Sequence, residues 1–329
     1  MAAALEERFP GLEMEAIAHD LQNNQAAMRF VRENSDAVVL LDGINQQQLL
    51  AGLGMTTVGY DAIVPFIAFG DSGREHSAPR LLDGTITLEQ LRQIYLNELT
   101  QVNNRRIQPF LPFVEQFDET GVLQGDATAH PTIQQIKELL FPNNLSRQDE
   151  LQDQFQDIAD QAEQNWQSEV DNGGGKAHNI YARIFREFEN QVGEAEENLV
   201  VGIGVDRLST VFGQCTAYPL AVQFEGSTFQ VFQQIGDQPI DMETNLCSDK
   251  GSYWIDNSLF PIGDDNPDGG AEYYPLAYPM SVVYHQGAEA GKAFAELLKT
   301  AQGQYLLNEV GLVTQCSAPE IRNAVWGGK

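Results

Sequence analysis

Positive charge is scarce in this sequence. Its 19 Lys and Arg stand against 47 Asp and Glu, a formal net charge of −28 over 329 residues. Binding to DNA or RNA draws on Lys and Arg to neutralise phosphates, and recognition of anionic lipid headgroups draws on the same cations. The balance therefore argues against nucleic acid and a bare membrane surface as partners. A solubilising coat, cation binding, or a small ligand held in a locally different site remain open. Cysteine is scarce too. Cys215, Cys247 and Cys316 have no C-x-x-C spacing and no adjacent His, which argues against structural zinc. Reduced, buried thiols are one reading; one disulfide and one free thiol in an oxidising compartment is the other. No run approaches 18 consecutive apolar residues, so no membrane-spanning helix is expected. Met1 to Phe9 lack the basic start, apolar run and small-residue cleavage site of a signal peptide.

Motifs for catalysis are absent as well. The five histidines, His19, His76, His130, His178 and His285, are scattered, with no two at helical metal-ligand spacing. No Gly-x-Ser-x-Gly elbow and no Walker loop occur. Gly202-Ile203-Gly204 follows a strand-like run, but Arg207 stands where the dinucleotide fingerprint wants its third glycine. The reading is a protein without a cofactor that is not an enzyme.

What is present is a chain able to close real cores, with 42% hydrophobic and 9% aromatic residues. The length suggests two domains. Short apolar runs at 37–41, 58–69, 107–113, 199–205, 217–224 and 278–284 read as strands. Residues 1–33 read as two short helices, the first interrupted at Pro10-Gly11 and the second preceded by Asn23-Asn24; periodic stretches at 84–100, 131–141, 180–189 and 288–308 also read as helices, with Thr87 at the start of the first of these. Helices alternating with short buried strands predict an α/β fold with mostly parallel pairing. Residues 148–170 predict an amphipathic helix in which Leu151, Phe155, Ile158, Ala162, Trp166 and Val170 share a face. The stretch 149–171 holds eight acidic residues and no Lys or Arg, so a solvated outer face with one packed stripe is expected. Residues 237–270 read as an acidic loop. Within it Asp264, Asn266 and Asp268 take calcium-loop positions one, three and five, with Gly269 at six. Pro275 stands where the bidentate Glu belongs, so an exposed acidic turn is the stronger reading.

In order along the chain, residues 36–42, then LGMTTVGYDAIVPFIAF at 53–69, then ITLEQLRQIYLNELT at 86–100 resemble the phosphate-binding-protein branch of the periplasmic solute-binding proteins. The C-terminal part agrees: Tyr274-Pro275-Leu276-Ala277-Tyr278-Pro279, followed by AFAELLKTAQGQYLLNEVGLV at 293–313, is similar to that family's return strand and closing helix. The resemblance implies a two-lobed type 2 periplasmic-binding-protein-like fold, each lobe a mostly parallel sheet flanked by helices, with ligand between the lobes. Lobe 1 would comprise 1–63 and 281–329. Lobe 2 would comprise 64–280, with an acidic helical insertion at about 145–175, and residues 58–69 and 274–284 would be the hinge strands.

The implied function is non-enzymatic binding of a small anion such as phosphate, as the solute-binding protein of an ABC-type uptake system or a related sensor domain. Asp42 stands where the family has its ligand-contacting carboxylate. Asn23 and Asn24 stand near its Gly/Ser loop, and Thr132 could match the Thr of its Ser-Gly-Thr helix start. Asn24 and Thr132 also read as plain helix N-caps, and Asp42 as a turn residue before Gly43. The family's Gly-Ser-Thr-Thr loop and first strand do not precede the first helix here, which favours a second reading: an interaction or regulatory module of a membrane-tethered protein that has lost the anion site. The implied location is extracytoplasmic, with a membrane transporter or sensor as partner and with the signal or anchor outside this chain. A Cys215–Cys247 bridge, as in some relatives, is implied for that compartment.

Overall fold

The computed structural model describes residues 24–68, 82–102, 105–110, 131–171, 200–214, 217–234, 238–241, 244, 246, 252–261 and 273–314. The chain divides into two compact units: Met1–Ala62 with Asp256–Lys329, and Ile63–Ile255. The sequence reading set the second crossing at about 281; the observed division lies at Asp256.

The first unit is built on an antiparallel sheet. Val38–Asp42 pairs with Ala277–His285, which pairs with the first ten residues of the Leu53–Ala68 strand, and Val313–Thr314 closes the other edge. Gly59 opposes Met280 and Thr57 opposes Ser281, so Val58 is an extra residue that bulges the strand. A bulge frees a backbone carbonyl from the ladder. Here the fully buried Gln304 donates from Nε2 to Val58 O at 2.8 Å, and to Leu298 O at the same distance. The Asn24–Glu33 helix buries Ala27, Met28 and Val31 against Leu41, Ile44, Leu53 and Val283, the i, i+1, i+4 stripe its sequence spells out.

The long closing helix read from the sequence is two helices, Glu289–Lys299 and Ala301–Glu309. Thr300 between them is extended (φ −67°, ψ 159°), and its Oγ1 accepts from Gly303 N at 3.2 Å. An N-cap inside an apolar period is what interrupts the helix. Gly303 is needed there because a Cβ would sit 2.3 Å from Leu297 O.

In the second unit, residues 63–68 of the long strand lie between Ala217–Pro219 and Val200–Arg207, both antiparallel to it. Val200–Arg207 runs parallel to Arg105–Phe110, and Gln101–Val102 pairs antiparallel with the latter. A small sheet joins Thr85–Thr87, parallel, to the hairpin of Ala221–Phe224 and Ser227–Phe229. Glu225 and Gly226, both at positive φ (50° and 90°), form the two-residue hairpin turn. Inside the acidic loop predicted at 237–270, Gln238–Pro239 and Tyr253–Ile255 flank Phe232–Gln234 as a third sheet.

The Leu88–Tyr95 helix starts at a full capping box, with Gln90 N donating to Thr87 Oγ1 (3.0 Å) and Thr87 N to Gln90 Oε1 (2.9 Å). Its last residue, the buried Tyr95, meets the Phe155 ring edge-on at 5.7 Å. Phe155 and Leu151 anchor the Leu145–Asp171 helix, while Asp149, Glu150, Asp153, Asp157 and Asp160 are exposed on it.

The α/β class read from the sequence is observed. The expectation of mostly parallel pairing is corrected: among the described residues, only Arg105–Phe110 with Val200–Arg207 and Thr85–Thr87 with Ala221–Phe224 pair in parallel. The reason is connectivity. Parallel neighbours need a crossover between strands, whereas the long strand of the first unit takes both its neighbours from the far end of the chain, running back against it.

Candidate functional site

Two corners contain the residues singled out by sequence, one in each unit. In the first unit Asn24 is the first residue of its helix and Asp42 the last of its strand. Asn24 Nδ2 donates to the backbone carbonyl of Asp42 at 3.1 Å. This bond joins a helix start to a strand end, and the chain leaves the strand at once: Gly43 takes φ +63°, a left-handed conformation that suits glycine, and donates its N–H to Pro279 O at 2.8 Å. The Asp42 carboxylate is thereby carried, half-buried, at the rim of the sheet.

In the second unit Thr132 is the second residue of the Pro131–Leu140 helix and only 2% exposed. Its Oγ1 accepts from Arg207 Nε at 2.7 Å. Arg207 ends the Val200–Arg207 strand, where it pairs with Ile63, and its own N–H donates to Asp206 Oδ1 at 2.7 Å. Asp206 is itself buried. Burial first, and the Asp206 charge second, push the Tyr95 hydroxyl well above its usual range. Tyr95 accordingly stays a donor, bonding Phe110 O at 2.6 Å and Ile203 O at 3.3 Å across the parallel strand pair.

Asn24 and Asp42, eighteen positions apart, are thus brought together. Thr132 meets Arg207, a residue the sequence reading noticed only for breaking a glycine motif. No local signal announces that contact, because it spans 75 positions. Asn23 lies outside the described residues, as do Cys215, Cys247 and Cys316 with the implied bridge, and Asp264, Asn266 and Asp268 of the acidic turn. Among the described residues no group of three or more His, Cys, Asp or Glu side chains is arranged to hold a metal ion, and no helix is long and apolar enough to cross a membrane.

Chemically, the corner of the first unit carries an amide and a carboxylate, and that of the second a hydroxyl and a guanidinium. A guanidinium has only donors, and a hydroxyl can both accept and donate.

No protein-family model matches the chain, and no curated protein matches it. Solved structures do. The chain is similar to a Clostridium perfringens protein assigned as a phosphate ABC transporter substrate-binding protein, with phosphate bound: 13% identity, TM-score 0.48, covering 95% of this chain and 92% of that one. It is similar to an ABC-type phosphate transport receptor from Vibrio cholerae at 11% identity and TM-score 0.44, covering 95% and 93%. It is also similar to PstS from Borrelia burgdorferi at 13% identity and TM-score 0.40, covering 95% and 91%.

Proposed function

We propose that this protein binds a small oxyanion, phosphate or a close relative, without converting it, as an extracytoplasmic solute-binding component of an uptake system or a related sensor. Asn23, Asn24, Asp42 and Thr132 are its proposed contacts. The sequence resemblance supports the reading, and the observation that carries it is the Asn24–Asp42 bond. That bond fixes a helix start against a strand end that bears a carboxylate. Helix starts offer unsatisfied N–H groups to anions, and a carboxylate beside them can accept a proton from a monoprotonated oxyanion. Such a site works without a surplus of basic residues, in keeping with 19 Lys and Arg among 329 residues.

The test is calorimetric titration with phosphate, with sulfate alongside and Asp42→Ala as the variant. Heat of binding is expected, together with a rise in melting temperature that grows with ligand. A hundredfold excess over Kd stabilises a folded receptor by about 2.7 kcal/mol. Asp42→Ala is expected to abolish phosphate binding. Absence of both heat and thermal shift at about millimolar phosphate, well above the Kd of a micromolar receptor, overturns the reading.

A further inference from the structure

We infer that Asp83 is a site of spontaneous backbone modification, at which aspartate isomerises to isoaspartate through a cyclic imide formed with Gly84, and that the fold shields the same dipeptide at Asp42-Gly43. The sequence Leu-Asp-Gly occurs at 41–43 and again at 82–84. The two residues that react and the one before them are the same, so a difference between the sites in the folded chain points to structure. Water is the only co-reactant, and the inference is independent of the oxyanion reading.

In the first step Gly84 N attacks Asp83 Cγ. A C–N bond forms, and the amide proton leaves with the carboxyl hydroxyl as water. Glycine favours the step because no Cβ shields its nitrogen. In the second step water adds to one of the two ring carbonyls. Breaking the new bond to Cγ restores aspartate. Breaking the original peptide bond leaves isoaspartate, with the main chain running through Cβ and Cγ. One water is lost and one regained, and nothing is oxidised or reduced.

The attack needs the peptide unit between Asp and Gly to turn toward the side chain, and hydrogen bonds on that unit oppose the turn. At 42–43 both of its polar groups are held: Asp42 O accepts from Asn24 Nδ2 at 3.1 Å, and Gly43 N donates to Pro279 O at 2.8 Å. Asp42 also ends a strand in register with Met280. At 83–84 no hydrogen bond to Asp83 O or from Gly84 N occurs among the described residues. Asp83 is exposed, and it (φ +49°) and Gly84 (φ +68°) both take left-handed turn conformations, which a residue with a Cβ holds at a cost. The turn leads straight into Thr85–Thr87, which pairs with Ala221–Gln223 and whose Thr87 caps the Leu88–Tyr95 helix. Isomerisation lengthens the main chain by one carbon at that entrance.

The test incubates the folded wild-type chain in heavy-oxygen water at mildly acidic pH, digests it with trypsin and follows each aspartate by fragmentation mass spectrometry, with the guanidinium-denatured chain alongside. Cleavage after Arg80 and Arg92 leaves Asp83 as the sole aspartate of its peptide. In the folded chain Asp83 is expected to take up heavy oxygen and accumulate isoaspartate at least about fivefold faster than Asp42, the factor that matches the net worth of one hydrogen bond. In the denatured chain the two rates should converge. Asp83→Glu, whose longer side chain does not close this ring, should remove both signals from that position. Equal rates at the two sites in the folded chain overturn the inference, as does an unchanged Asp83 over a period in which the denatured chain accumulates isoaspartate there. A ratio that unfolding leaves unmoved also overturns it, since local sequence and not the fold would then set the rate.

Discussion

Gly204 lies directly opposite Phe66 on neighbouring antiparallel strands, with the ring over the glycine. A Cβ at position 204 would fall 2.2 Å from Phe66 Cζ and within 2.8 Å of both Cε atoms. The glycine that looked like half of a nucleotide-binding fingerprint is therefore a seat for an aromatic ring. Gly204→Ala is expected to cost roughly 1–3 kcal/mol, the usual range for overpacking a filled core. Phe66→Leu should recover part of it, so the two changes will not add. Urea unfolding midpoints of the two single variants and the double variant measure this. A Gly204→Ala cost within about 0.5 kcal/mol, typical of exposed sites, would show that the ring moves aside freely.

Ionic strength should matter more to this protein than to a charge-balanced one. The net charge of −28 repels itself. On the Leu145–Asp171 helix the exposed Asp149, Asp153 and Asp157 follow one another at i, i+4, where each like-charge pair opposes the helix by about 0.2–0.5 kcal/mol. Arg147 at the start of that helix offsets some of this, with Glu150 at 2.7 Å and Glu98 at 3.1 Å. Raising sodium chloride from about 10 mM to about 0.5 M shrinks the screening length several-fold and should raise the melting temperature steadily. A melting temperature that is flat or falls across that series contradicts the expectation.

Alkaline pH should unfold the chain through its buried tyrosines. Burial, assisted by the Asp241 charge, pushes the Tyr218 hydroxyl up to about 12. Tyr95 and Tyr274 are also raised, chiefly by burial. An unfolded tyrosine ionises near pH 10. Above that pH the unfolded chain has released protons that the folded chain still holds. The stability these groups contribute is therefore complete below about pH 10 and is lost as pH rises toward 12. Tyr218→Phe should make the decline across that window shallower. Identical slopes for wild type and variant, from denaturant midpoints at each pH, would exclude Tyr218 as a contributor.

Much of the fold was legible where a local rule operates. The capping box at Thr87, the short strand ending at Asp42 and the acidic helix anchored by Leu151 and Phe155 all follow from residue spacing. What escaped the sequence are features decided by distant partners. The long strand begins at Leu53, five residues before its uniform apolar run, because Gly54 and Thr56 pair with Tyr284 and Val282 from the other end of the chain. The final helix breaks at Thr300 although its apolar period continues, since only packing shows how closely Gly303 meets Leu297. The resemblance named Asn24 and Asp42 separately as candidate contacts, and their bond, eighteen positions apart, had no local signal. The Arg207–Thr132 contact was invisible, because it depends on the reach of a long side chain to a separate element.

The bond between Gln304 and the bulged Val58 joins positions 246 residues apart. On a growing chain, synthesised from its N-terminus, every residue of Ile63–Ile255 is present before either partner strand of residues 53–62 exists. The second unit can thus begin folding while the first still waits with an unpaired strand. A chain stopped anywhere short of residue 277 would present that strand's backbone to other chains. Truncation from the C-terminus should therefore produce aggregation-prone molecules, although the lost residues lie far along the sequence from the strand they protect.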